Sequence, residues 1–187
     1  MNKSPTLPEP RAGDRFLLRP WRLSAEDLAL VREAADDDYI PRLTTVPAPY
    51  SDEAGRDFIT RQQRRMASSG AWPLVIVRAA DERPIGVMSV RGHERDQGRA
   101  SVGYWVVGSA RGQGAATAAL RTATDWALTE LGISRVELYA EPWNTGSLRT
   151  AEAAGYLREG LLRSWQVIGD RRRDMYMYSR VAQASDV

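Results

Sequence analysis

Residues 106–128, VVGSARGQGAATAALRTATDWAL, pass from a short apolar stretch through Gly112 and Gly114 into a run rich in alanine. This segment restricts the fold more than any other, because it must end a strand, turn on glycine and open a helix within a few residues. A helix N-terminus leaves four backbone N–H groups unpaired and carries about half a positive charge. Gly112, Gly114, Ala115 and Ala116 place no bulk over those groups, and Arg111 adds a formal positive charge. The turn is therefore shaped to receive a pyrophosphate.

Around it the element types alternate. RFLLRPW (15–21) reads as a strand, and Ser24, with Asp27 three residues on, caps a helix that runs to near Asp38. A second helix starts at Ser51, Asp52 and Glu53 and continues to about Ser68. WPLVIVRAA (72–80), PIGVMSVRG (84–92) and ASVGYWVVG (100–108) are strands separated by DER and HERDQGR, spacing that favours antiparallel hairpins. In the helix after the glycine turn, Ala116, Leu120, Ala123, Ala127 and Leu131 recur at intervals of three and four, and Gly132 ends it.

SRVELYAE (134–141) alternates, with Val136, Leu138 and Ala140 on one face and Glu137, Tyr139 and Glu141 on the other. A shorter helix over about 145–154 ends at Gly155, and the strands LLRSWQV (161–167) and DMYMYSRV (174–181) flank the turn IGDRRR. The pattern predicts one α/β domain over residues 14–183, after a Pro-rich lead-in at 1–13 and before a tail at 184–187. The hairpins and the strand–helix–strand unit share one sheet.

Composition removes several classes of function. With no cysteine and one histidine, His93, there is no disulfide framework and no Cys/His zinc site, so no metal is expected. No apolar run approaches the roughly 20 residues of a membrane span, and the N-terminus has no apolar core of a secretory signal, so a cytoplasmic protein is expected. Lys3 is the sole lysine and every other basic residue is arginine. Those arginines are interspersed with acids and form a run only at Arg171–Arg173, which reads as compositional bias rather than a nucleic-acid-binding stripe.

Three phosphate-binding patterns compete for the glycine turn. A P-loop requires a lysine that this turn lacks, and a dinucleotide fold requires glycine where Thr117 stands. The third fits: Arg111-Gly112-Gln113-Gly114-Ala115-Ala116 resembles [Q/R]-x-x-G-x-[G/A], the acetyl-CoA loop of the GNAT N-acetyltransferases. GYW (103–105) resembles that family's fourth strand. NTGSLRTAEAAGYLREG (144–160) resembles the N-x-x-S … G-[FY]-x-x-E-G ending of the branch containing the ribosomal-protein N-acetyltransferases RimJ and RimL, and the opening LLRPW suits the same branch.

The resemblance implies a single GNAT domain, a mixed and mostly antiparallel sheet of about six to seven strands with helices on both faces. A splayed strand pair would hold acetyl-CoA, used as co-substrate. The backbone of Gln113, Gly114, Ala115, Ala116 and Thr117 would bind the pyrophosphate, with Arg111 and Gly112 opening the loop. Trp105, Val106 and Val107 would pair with the pantetheine arm, Asn144 would hydrogen-bond it, and Ser147 would lie near the thioester sulfur. Asn144 equally suits an N-cap, and Ser147 equally suits a solvated helix position.

Without cysteine an acyl-enzyme through a thiol is excluded, so direct attack by an amine is expected. Many relatives protonate the departing thiolate with a tyrosine four residues after the serine, where Ala151 stands; the resemblance to the RimJ/RimL branch implies that role for the serine of N-x-x-S, Ser147, which as a poor acid would hydrogen-bond the sulfur. Relatives often carry an acid two residues before the GY of the fourth strand; Ser101 stands there, and Glu141 becomes the candidate base. His93 falls in a hairpin turn and reads as solvated. Segments 36–50 and 168–174 are expected over the acetyl end, with Asp36, Asp37 and Asp38 either attracting a cationic amine or forming a solvated turn. The branch implies a protein or peptide N-terminal α-amine as acceptor. Small amines (polyamines, amino acids, antibiotics), a non-catalytic acetyl-CoA sensor and a homodimer stay open; neither a membrane nor a nucleic acid is expected as a partner.

Overall fold

A computed structural model describes Leu7, residues 15–68 and residues 70–182, apart from the side chain of His93. The lead-in at 1–13, Leu7 excepted, and the tail at 184–187 lie outside the described residues. The strands are β1 (Phe16–Pro20), β2 (Ala71–Arg78), β3 (Arg83–Glu94), β4 (Arg99–Val106), β5 (Arg135–Ala140), β6 (Leu157–Ile168) and β7 (Arg171–Val181). The helices are α1 (Ala25–Ala35), α2 (Ile40–Leu43), α3 (Asp52–Ser68), α4 (Ala115–Glu130) and α5 (Thr145–Ala153).

One seven-stranded sheet has the order β1-β2-β3-β4-β5-β7-β6. Neighbours run antiparallel except β4 and β5, which α4 joins as a parallel crossover. β2 is buried along nearly its whole length, as a central strand covered on both faces must be. α1 packs with α3 and α4 with α5, and these two pairs form the covers. Trp21 meets Phe58 edge-on at 5.4 Å on the α3 side, and Trp72 meets Trp126 at the same distance on the α4 side.

Ser24 caps α1 by accepting from the Asp27 amide at 3.3 Å. The Asp27 carboxylate turns away from that cap. Fully buried, it accepts from the Arg19 guanidinium at 2.9 and 2.5 Å and from the Arg22 amide at 2.7 Å, bolting α1 to β1. A buried carboxylate is tolerated only when so completely paired.

Several expected boundaries shift, each for a local reason. α1 stops at Ala35 rather than near Asp38, because the Asp37 carboxylate accepts from the amides of Tyr39 and Ile40 at 2.9 and 3.0 Å and starts α2. The helix α2, four residues long, is too short to show a period. β6 starts at Leu157, four residues early, and is almost wholly exposed, so neither of its faces imposes alternation. β7 starts at Arg171, which puts the arginine run into the strand and leaves only Gly169 and Asp170 in the turn. His93 falls inside β3, not in the turn. On α4 the buried stripe is broader than expected and includes Ala115, Ala119, Thr124 and Trp126, while Ala116 is half-buried at its edge. The polar face of β5 is also covered: Glu137 and Glu141 are both buried.

Candidate active site

β4 and β5 pair only through Arg99–Ser101 against Arg135–Glu137. Beyond Ser101, β4 runs on to Val106 without a β5 partner, so the sheet opens into a cleft between the two parallel strands. Trp105 is half-buried on this free stretch, while Val106 and Val107 are buried.

The glycine turn closes one end of the cleft. Gly112 and Gly114 take φ of +74° and +83°, the left-handed region that glycine enters without penalty, and Gly114 is the N-cap of α4. No side chain caps that helix start and its first turn carries no acid. A Cβ built on either glycine would meet nothing within 4 Å, so the turn faces open space. The first-turn amides of Ala115, Ala116 and Thr117 are thus free of side-chain acceptors. Arg111 folds back beside the turn, its Nε donating to the Val106 carbonyl at 3.0 Å and Nη2 to Asp37 Oδ2 at 2.6 Å. Burial pushes Asp37 up, but the Ile40 and Tyr39 amides and Arg111 outweigh it and hold the carboxyl below its usual range. Of the acids at 36–38, Asp37 is engaged by Arg111 and by the Tyr39 and Ile40 amides, while Asp36 and Asp38 are exposed.

The β5–α5 connection lines the other side. Asn144 caps α5, its Oδ1 accepting from the Ser147 amide at 3.0 Å, and Ser147 is half-buried one turn in. Tyr104 reaches Ser147 from β4, with its hydroxyl 2.8 Å from Ser147 Oγ. Burial raises the Tyr104 phenol, and its hydrogen bonds to Ser147 and Thr150 offset only part of that rise. Ala151 is buried and carries no polar group.

Glu141 lies just past β5 on the floor of a cavity of about 360 Å³. Tyr39, Arg42, Trp143 and Arg173 share that cavity, with Ile168 and Asp170 from the β6–β7 hairpin. Glu141 is only 3 % exposed; the Tyr39 hydroxyl donates to it and Arg173 Nε lies 3.6 Å away. Burial and then the Glu141 carboxylate push the Tyr39 phenol well above its ordinary value. Tyr39 in turn packs edge-on against Trp143 at 4.9 Å. The other buried acid of β5, Glu137, is tied up by Arg135 at 2.7 Å and the Tyr139 hydroxyl at 2.8 Å.

The structure therefore sets the glycine turn beside the free β4 edge, joins that edge to Ser147 through Tyr104, and places Glu141 in a cavity lined by Tyr39 and Arg42 from segment 36–50 and by Ile168, Asp170 and Arg173 from the β6–β7 hairpin. Tyr104 and Tyr39 join them without having been expected. Tyr104 lies in the GYW motif, and an aromatic in a strand is ordinary for a sheet. Nothing local marks Tyr39.

Residues 15–157 match the family described as Acetyltransferase (GNAT) domain. The Bacillus subtilis protein named Probable N-acetyltransferase YjcK is 30 % identical over 157 residues, covering 81 % of this chain and 85 % of that protein. The Bacillus licheniformis protein named Uncharacterized N-acetyltransferase p20 is 33 % identical over 105 residues, 56 % of this chain and 58 % of that one. Mycobacterium smegmatis RimJ, solved with CoA-disulfide, superposes with a TM-score of 0.78 at 24 % identity, over 89 % of this chain and 82 % of that one.

Proposed function

The chain belongs to the GNAT acetyltransferase family, a class of acetyl-CoA-dependent N-acetyltransferases, and from that premise we propose that it acetylates a peptide or protein N-terminal α-amine. One arrangement supports this above all: the β4–β5 cleft joins an uncapped helix start to a buried carboxylate, with a serine hydroxyl between.

Acetyl-CoA supplies the acetyl group as a thioester, whose carbonyl an unprotonated amine attacks: a C–N bond forms, the C–S bond breaks, the amine loses a proton and the thiolate gains one. The uncapped amides from Gln113 to Thr117 and the Arg111 guanidinium hold the pyrophosphate, Arg111 exchanging Asp37 for phosphate oxygens. The unpaired edge of Trp105, Val106 and Val107 bonds the pantetheine amides as a further strand would. Asn144 orients α5 so that Ser147 faces the cleft. A serine hydroxyl is a weak acid, so Ser147 stabilises the departing sulfur by hydrogen bonding.

Glu141 collects the amine proton at the far end. An α-amine has a pKa of roughly 8, against roughly 10.4 for a lysine side chain, so at pH 7 it asks much less of its base. Tyr39 and Arg173 position the carboxylate for that task.

Thiol release from acetyl-CoA, measured against N-terminal peptides, polyamines, free amino acids and aminoglycosides, tests the assignment. Peptide-dependent release by the wild type, abolished in Gly114→Glu, is expected. Release with polyamines or antibiotics alone would replace the peptide with a small amine, and stabilisation by acetyl-CoA without any release would leave a sensor.

A further inference from the structure

Two arginines, Arg42 and Arg173, line the cavity that holds Glu141. The side chain of Arg42, in the last turn of α2, has no ion pair or hydrogen bond among the described residues. Arg173 is 44 % exposed and reaches its nearest acid, Glu141, only at 3.6 Å. Arg171 and Arg172 are exposed beside it on the hairpin, one 3.9 Å from Asp170 and the other donating to the Ser164 carbonyl at 3.1 Å. Of the cavity's two acids, Glu141 is buried at the floor and Asp170 projects into solvent at the hairpin tip.

Charge is thus layered in depth: Glu141 lies at the floor, Arg42 and Arg173 above it, and Asp170 outermost in solvent. An acceptor that suits this order carries its amine inward and an anion a few ångströms behind it. A polyamine does the opposite, placing a second ammonium against Arg42 and Arg173. A volume of about 360 Å³ is at the small end of ligand pockets, enough to enclose the first residue or two of a chain whose remainder passes out over the hairpin.

We propose that the acceptor is a peptide N-terminus with an aspartate or glutamate at its first or second position. Its α-amine points to Glu141 and its side-chain carboxylate lies between Arg42 and Arg173, which bind it as guanidinium groups bind planar oxyanions. This specificity rests on the N-terminal acetyl-transfer reading above.

The test compares pentapeptides differing only at position two, as aspartate, asparagine or lysine, with spermidine alongside, in wild type, Arg42→Gln, Arg42→Glu and Arg173→Gln. The aspartate peptide should exceed the asparagine peptide in kcat/KM by about tenfold at low salt, and the advantage should shrink as salt screens it. Either neutralised arginine should collapse that ratio, and Arg42→Glu should turn the preference toward lysine. Because Arg42 is exposed, its variants should keep the wild-type melting temperature. Equal use of all three peptides, or an aspartate preference that survives every variant, would overturn the acidic specificity while leaving N-terminal acetylation intact. Turnover of spermidine but of no peptide would overturn both.

Discussion

The Tyr104 hydroxyl sits 2.8 Å from Ser147 Oγ and 3.2 Å from the Ser147 carbonyl oxygen, so a strand on one side of the cleft holds the serine on the other. With Tyr104 donating to Ser147 Oγ, the serine's own proton is left to point away from the tyrosine. Tyr104 is thus a positioning residue for Ser147, the group proposed to meet the sulfur. Tyr104→Phe keeps the ring and removes the tether. It should lower kcat by about tenfold with little change in KM for acetyl-CoA, and Ser147→Ala should cost more. The double variant should be no slower than Ser147→Ala alone, because the tyrosine acts only through the serine. Steady-state kinetics on the three variants checks this; an additive double variant would separate the two residues.

Asp37 joins the glycine turn to the cavity that holds Glu141, since one carboxylate holds Arg111 and caps the segment bearing Tyr39. Asp37→Asn keeps an oxygen for the cap and removes the charge that retains Arg111. KM for acetyl-CoA should fall severalfold, with kcat against peptide unchanged or lower. A rise in that KM would mean that Asp37 holds Arg111 ready for phosphate.

Gly114→Glu puts a carboxylate beside the uncapped helix start and forces a side chain into positive φ. The strain alone should cost about 1–2 kcal/mol of stability. Acetyl-CoA should raise the melting temperature of wild type and leave that of the variant unchanged. Thermal shift with and without acetyl-CoA distinguishes strain, visible without ligand, from lost binding.

Thr124 and Tyr156 share a buried hydrogen bond of 2.6 Å between α4 and the residue preceding β6. Tyr156→Phe leaves Thr124 donating to the Leu120 carbonyl at 2.7 Å, so no donor is stranded. The loss should be about 1 kcal/mol in chemical denaturation, with kcat and KM unaltered. A tenfold loss of activity would place this contact in the catalytic machinery.

Hydrogen bonds from Arg135 and then Ser179 hold the Glu159 carboxyl at about 2, against 4.5 for the free side chain. A lowered folded-state value contributes stability that is complete above the unfolded pKa and is lost as pH falls through the folded one. Glu159 is 41 % exposed, so solvent screening limits the contribution to about 1 kcal/mol. Glu159→Gln should melt about 2–4 °C below wild type at pH 7, and the gap should close between pH 4.5 and 2. A gap that persists at pH 2 would assign it to packing.

The sequence made legible what is local. The strand–glycine–helix turn, the caps at Ser24 and Asn144 and the burial of Val136, Leu138 and Ala140 follow from neighbours within a few residues. The placement of β7 between β5 and β6 does not, because both outer strands carry similar patterns and only the assembled sheet decides which pairs with β5. The site divides the same way. Arg111, Asn144 and Ser147 lie within motifs, whereas Tyr39 meets Glu141 across 102 positions and Tyr104 meets Ser147 across 43, distances at which no periodicity speaks. The Ser24 cap was legible from its spacing; the pairing of the Asp27 carboxylate with Arg19 and Arg22 needed the fold.

The three-residue contact between β4 and β5 has a mechanical consequence. The sheet behaves as two plates, β1–β4 and β5–β7–β6, welded at one corner and braced by α4, which packs on both. Hydrogen-bond register fixes spacing within each plate but cannot fix the gap between them. That gap is set by how closely α4 seats, which is why the alanines at 119 and 123 matter: they are buried where the brace touches the plates. Bulk added there would prise the plates apart without touching a residue that lines the opening, so the width available to a substrate arm is governed from the back of the sheet.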